Sequence, residues 1–215
     1  MTPKAKFQSI ILSLTTGIII LLWIAFGKSF EFPEVIIVLS GAFVSLTTYK
    51  LLYSLLNYIA NQSRLFRMLI LHKEFVEGTW VGFYIGMKGE VRFIIEEFKQ
   101  DLDGLVIKGK GFNENKELHA KWISEISNIN ARTKKLRYMY EVSPINENMT
   151  GYGIADFDLE ELNVIDIPQK ITGFSSDNHW GKRIKSIEFK IKGKKTDREY
   201  LEIANRIYTE NIHNY

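Results

Sequence analysis

VEGTWVGFYIG, residues 76–86, puts Trp80 and Tyr84 on one face of an extended chain, because successive side chains of a strand point to opposite sides. The next stretch, EVRFIIEEFKQ at 90–100, continues in the same manner after a short break. Six more stretches follow, at 104–112, 117–125, 134–142, 150–159, 170–177 and 184–192, each bounded by turn residues. Short runs of this kind with short connections predict a small antiparallel, up-and-down β-barrel of about eight strands. Closure removes two edges that would otherwise pair with other chains, an open sandwich being the alternative. Gly78, Gly82, Gly109, Gly111, Gly151, Gly153 and Gly173 all fall within predicted strands. Glycine there marks tight bends or close approach, which small coiled barrels need.

Outward from the strands the pattern changes. Thr196-Asp197-Arg198-Glu199 fits a capping box, and Tyr200, Ile203, Ala204, Ile207 and Ile212 recur at helical spacing, predicting a C-terminal helix over 197–212 that packs outside the barrel or over one end. In the other direction, 61–75 reads as a linker. Before it, FQSIILSLTTGIIILLWIAFG at 7–27 carries no charge, and a helix needs about 20 apolar residues to cross the hydrocarbon core. A second apolar stretch at about 35–57 contains one charge, Lys50, placed where its stem snorkels to the headgroups. Residues 1–60 are therefore expected to form a two-helix transmembrane hairpin, and 76–215 a mainly-β soluble domain. Lys4, Lys6, Arg64, Arg67 and Lys73 flank the hairpin while its turn is poor in cations, which places both termini and the barrel in the cytosol. A cleaved signal peptide fits less well, since the run is long, no A-x-A site follows and a second apolar segment comes at once. Ser13 with Gly17, and Gly41 with Ser45, give each helix a face that permits close approach, either within the hairpin or between copies.

The 215 residues include no cysteine, which excludes disulfides, thiolate metal sites and cysteine nucleophiles. A formal net charge of +3 is mild, but the clustered cations favour a lipid surface or a phosphate-bearing ligand. No Walker loop, G-x-G-x-x-G, G-x-S-x-G or H-E-x-x-H occurs, and His72, His119, His179 and His213 lack metal-ligand spacing. No cofactor, metal or enzymatic activity is expected. Asp156, Asp158, Glu160 and Glu161 read as a solvated outer face. The run from Lys190 through Lys195 likewise reads as an outer face at its start. The candidate ligand-binding residues are the aromatics Trp80, Tyr84, Trp122, Tyr138, Tyr140 and Tyr152, on which bases stack, with Arg92, Lys108, Lys110 and Arg137 to meet phosphates. Lys182 and Arg183 are further candidate cations.

Two N-terminal apolar helices, a short basic linker, a first strand reading Glu77-Gly78-Thr79-Trp80-Val81-Gly82-Phe83-Tyr84 and a glycine-punctuated β domain resemble the two-transmembrane, β-strand-rich effector family of CBASS antiphage defence, associated with cyclic-oligonucleotide synthases. The likeness covers nearly the whole chain and rests on its layout and on G-T-W-x-G. It implies a minimal barrel that binds a cyclic di- or oligonucleotide and then assembles its hairpins into a homo-oligomer that disrupts the bacterial inner membrane. No DNA or RNA polymer is implied as a partner. The same strand also resembles the lipocalin G-x-W, which would make the chain a membrane-tethered sensor or carrier of an apolar ligand. A barrel without a cavity would point to a protein-binding scaffold.

Overall fold

The computed structural model describes residues 3–26, 34–145, 150–162, 167–177 and 181–215. The chain divides into two compact units, Met1–Leu71 and His72–Tyr215.

The first unit is helical: α1 is Pro3–Phe26, α2 Glu34–Gln62 and α3 Arg64–Leu71. Both long helices outrun their expected bounds, and the turn at 27–33 lies outside the described residues. Phe7, Ile11 and Thr15, one turn apart on α1, are buried, and the Phe7 ring lies 6.1 Å from that of Tyr53 on α2. Leu12, Leu21 and Ile24 on α1 and Phe43, Leu46 and Leu51 on α2 are exposed. A helix that is apolar on its exposed side as well as its packed side suits a lipid surrounding. Four of the hydroxyls agree with this, since Ser13, Thr15, Thr16 and Ser45 each donate to the carbonyl four residues back and so do not need water as an acceptor. Among the described residues, one segment, Ala5–Leu22, is long and apolar enough to cross a membrane. The expected linker contains structure: Ser63 receives the backbone N–H of Phe66 at the start of α3, and Arg67 donates to Ala60 O and Asn61 O at the end of α2. Its run RLFRMLIL is helix-forming once a serine starts it, which explains the difference from an irregular linker.

In the second unit eight antiparallel strands close in sequence order, β8 pairing back to β1. They are β1 Gly78–Ile85, β2 Val91–Gln100, β3 Leu105–Phe112, β4 Leu118–Asn130, β5 Lys135–Pro144, β6 Gly151–Glu160, β7 Lys170–Asp177 and β8 Ile184–Ile191. Trp80, Phe98, Ile107, Leu136, Phe157, Leu159 and Ile171 fill one end of the interior. The chain enters at this end, where Gln100 accepts from Val76 N and donates to Glu74 O, and Trp80 Nε1 donates to Val76 O.

The interior is narrow, and glycines make room in it. Trp122 on β4 faces Gly109 on β3 and lies flat across it, Tyr140 covers Gly153, Phe157 covers Gly173, and Glu188 on β8 crosses Gly82 on β1. In each pair a Cβ on the glycine would overlap the large neighbour or its backbone. The side chain opposite thus leans sideways over the missing one, and two of them, Trp122 and Glu188, reach one strand further.

Helix α4, Asp197–Asn211, begins at the expected capping box, with Thr196 accepting from Glu199 N. Its Tyr200, Leu201, Ala204 and Ile207 cover the outer side of the sheet against Val81, Phe83, Phe93, Ile95 and Ile187. This reverses the expectation for the start of the lysine run. Ile187, Phe189 and Ile191 are the outward set on β8 because α4 gives that surface an apolar cover. Lys190 points inward at the filled end, its Nζ 4.7 Å from the Phe75 ring centre and 5.5 Å from that of Trp80.

Gly82→Ala is expected to destabilise the full chain by ~1–3 kcal/mol in denaturant unfolding, the usual cost of overpacking. Gly111→Ala, whose Cβ would stand 3.3 Å from a movable Trp122 ring, should cost less. Equal costs would contradict the crossing of β1 by Glu188.

Candidate functional site

At the other end of the barrel the described residues leave the interior unfilled. A cavity of about 230 Å³ opens between Tyr84, His119, Pro144 and Ile184, with Trp122, Tyr138 and Tyr140 as aromatic wall and Glu96 and Glu188 at the floor. Strand alternation supplies the wall: Tyr138 and Tyr140 share a face of β5, Trp122 enters from β4 and Tyr84 from β1. The rings of Tyr138 and Tyr140 are tilted at 5.7 Å, and Tyr138 stacks on Phe157 beneath it at 6.0 Å.

The floor joins two acids from strands on either side of β1. Glu96 on β2 and Glu188 on β8 are each 1% exposed, and their carboxyls approach each other closely enough to interact. Gly82, lying between, has no side chain to keep them apart. Trp122 Nε1 donates to Glu96 Oε1 at 2.6 Å and Tyr138 Oη donates to the same oxygen at 2.9 Å. Ser186 Oγ lies 3.4 Å from Glu188 Oε1. The Oε2 atoms of both acids are buried and have no hydrogen-bond partner among the described residues.

Two carboxylates in contact and out of water will not both ionise. Burial pushes the Glu96 carboxyl above its ordinary value. Burial together with the Glu96 charge pushes Glu188 well above it. Glu96 has two side-chain donors aimed at it and so keeps the negative charge, while Glu188 keeps the proton. The pair carries one charge and titrates as a unit. Burial and both acids also drive the Tyr138 hydroxyl well above the usual phenol range, so it remains a donor.

Of the residues singled out in the sequence, Tyr84, Trp122, Tyr138 and Tyr140 are brought together around the cavity. Trp80 belongs to the filled end beneath it. The others are not assembled there. Lys108 and Lys110 point out of β3, Lys110 Nζ reaching Asp197 on α4 at 2.6 Å. Arg137 lies on the outer face of β5 against Asp156 at 3.0 Å, and Tyr152 is 50% exposed on the outer face of β6. Their parity is opposite to that of Tyr138 and Gly153, which face in. Arg92 stands at the rim, 3.4 Å from Glu90. Lys182 and Arg183 are exposed just before Ile184. No lysine or arginine among the described residues lines the cavity. Asp156 and Asp158 face solvent and pair with Lys135 and Arg137, as the alternation of β6 predicts.

Glu96 and Glu188 were missed by sequence reading. Glu96 has the parity of Ile94 and Phe98, which marks it as an acid among core positions. On β8 the inward set is the polar one, so Glu188 gives no such signal. Among the described residues no three metal-ligating side chains cluster, and His179 lies outside them. Comparison with protein-family models, with curated proteins and with solved structures finds no match.

The raised acids have a consequence for stability. A folded state that holds a proton more tightly than the unfolded chain is favoured at low pH and loses that advantage as pH rises above the ordinary glutamate value of 4.5 toward the folded one. Glu188→Gln removes the proton requirement. Denaturant unfolding of the full chain between pH 5 and 8 is expected to show wild-type stability falling with pH and a flatter profile for Glu188→Gln. The same slope in both would contradict the shared proton.

Proposed function

We propose that the chain is a membrane-attached receptor whose barrel binds a cyclic di- or oligonucleotide and whose N-terminal helices, gathered by binding into a homo-oligomer, disrupt the bacterial inner membrane. It acts by binding, not by turnover. On this reading α2 is a second membrane span, and both termini and the barrel lie in the cytosol, as the flanking cations favour.

The observation that carries the reading is the aromatic cavity in the open end of a closed barrel, in a chain that also holds an apolar segment able to cross a membrane. The size of the cavity refines it. Drug-sized ligands occupy roughly 300–1,000 Å³, so about 230 Å³ suits one base and not a whole cyclic dinucleotide. The base enters and stacks on the ring wall, and the sugar-phosphate ring stays at the mouth. Phosphates have no cation inside to draw them deeper, whereas Arg92, Lys182 and Arg183 stand around the rim or beside it. A second reading, a tethered sensor of a small apolar ligand, has the cation-free lining in its favour. The acids at the floor count against it, because a purely apolar ligand placed over them offers no hydrogen bond.

Thermal unfolding of the full chain in lipid vesicles loaded with a self-quenching dye tests both halves. One or more of a panel of cyclic di- and trinucleotides is expected to stabilise the protein saturably, by about 2.7 kcal/mol at a hundredfold excess over Kd, and to release dye. No response across the panel from folded protein would overturn the reading, and stabilisation by fatty acids or sterols instead would establish the apolar sensor.

A further inference from the structure

Helix α3 is amphipathic in the opposite sense to a helix that packs on a soluble protein. With 3.6 residues per turn, Met68, Leu65, Leu69, Phe66 and Ile70 follow one another round the helix as a single apolar arc, and Arg64, Leu71 and Arg67 make up the other side. Such an arc ordinarily turns its middle toward a core. Here the middle faces out, Leu65 being 73% exposed and Leu69 76%. The side that packs is the one with the arginines: Leu71 is buried, and Arg67 donates to Ala60 O and Asn61 O. Those carbonyls belong to the last turn of α2, where a helix has no partners of its own to offer them. The arginine therefore fixes which way α3 is rolled, and the roll leaves the centre of the apolar arc without a protein cover among the described residues.

We propose that α3 is an interfacial helix, lying along a lipid bilayer with Leu65 and Leu69 sunk into the boundary between headgroups and acyl chains. The inference rests on the membrane reading and adds to it a contact surface that neither long helix supplies. Continuity gives lipid as the occupant. The contact of Phe7 with Tyr53 sets the start of α1 beside the later part of α2, and α3 packs on both helices, so α3 stands at the end of the unit where the membrane-length segment Ala5–Leu22 begins. Farther along that segment Ile10, Leu12 and Leu14 are exposed in the same way, so the outward leucines of α3 extend a surface that is already apolar. Charge points to the same occupant. From Val35 to Leu71 the chain has no acidic residue, and Lys6 and Arg64 are exposed. Cations flanking an outward apolar face suit anionic headgroups with acyl chains beneath them, whereas a second copy of this segment would bring the same cations and no acid.

The absence of cysteine makes the test direct, because Leu65→Cys, Leu69→Cys and Leu12→Cys each give one unique site for a polarity-sensitive dye. All three side chains are exposed, so the changes remove little packing, and Leu65 and Leu69 report independently should one variant fail to fold. The full chain so labelled is placed in vesicles of phosphatidylethanolamine and phosphatidylglycerol and read with iodide in the water and with nitroxides fixed shallow or deep on the acyl chains. Dyes at Leu65 and Leu69 are expected to lose most fluorescence to the shallow nitroxide and little to iodide. The dye at Leu12, near the middle of Ala5–Leu22, is expected to lose most to the deep one. Quenching at Leu65 and Leu69 by iodide alone, with Leu12 still quenched by the deep nitroxide, would overturn the interfacial helix and leave the membrane reading standing. Protection of Leu65 and Leu69 from iodide and nitroxides alike would also overturn it and mean that protein, such as a second copy, covers the face. No lipid quenching at Leu12 would overturn the membrane reading and this inference together.

Discussion

An eight-stranded barrel encloses an interior just wide enough for side chains to fill, and in this protein four large inward residues are accommodated only because a glycine stands opposite each. Trp122 over Gly109, Tyr140 over Gly153, Phe157 over Gly173 and Glu188 over Gly82 are direct cross-strand pairs. Each ring or chain lies down across the neighbouring strand where a Cβ would otherwise stand. The same arrangement builds the site. Trp122 passes over β3 to donate to Glu96, and Glu188 passes over β1 to meet it from the other side. Packing and the cavity floor therefore come from one device, and the cavity is what is left when the large residues have been tipped aside at one end.

Much of this fold was legible in the sequence. Eight stretches at short intervals, with glycines inside them, gave strand number, order and closure, and Thr196 with Glu199 gave the start of α4. The inward aromatics Tyr84, Trp122, Tyr138 and Tyr140 followed from period-two alternation. The cations did not, because Lys108, Lys110 and Arg137 were grouped with the aromatics by chemistry and not by parity. Strand β8 was harder still. Its apolar side chains face outward because α4 covers them, so alternation alone inverts it and hides both Lys190 and Glu188. A covering helix from the end of the chain is a tertiary fact that no local pattern in 184–191 contains.

The electrostatic character of the interior also differs from a simple phosphate-binding expectation. Apart from Lys190, which points into the filled end, the basic residues of the barrel stay on the outside or at the rim, several in surface pairs of the kind that contribute only ~0–1 kcal/mol each. The inside holds one negative charge shared by two acids, with two side-chain donors fixing its place. A buried ion without a counterion is costly, and the donors Trp122 and Tyr138 offset part of that cost.

The account depends most directly on one proton held between two carboxyls. Infrared difference spectroscopy of the full chain near pH 7, comparing wild type with Glu188→Gln, reads that proton through the stretch of a protonated carboxyl group. The account predicts such a band in the wild type, shifted by deuterium exchange and absent from Glu188→Gln. No protonated-carboxyl band in the wild type at that pH would mean that both acids are ionised, and the floor described for the cavity would be wrong.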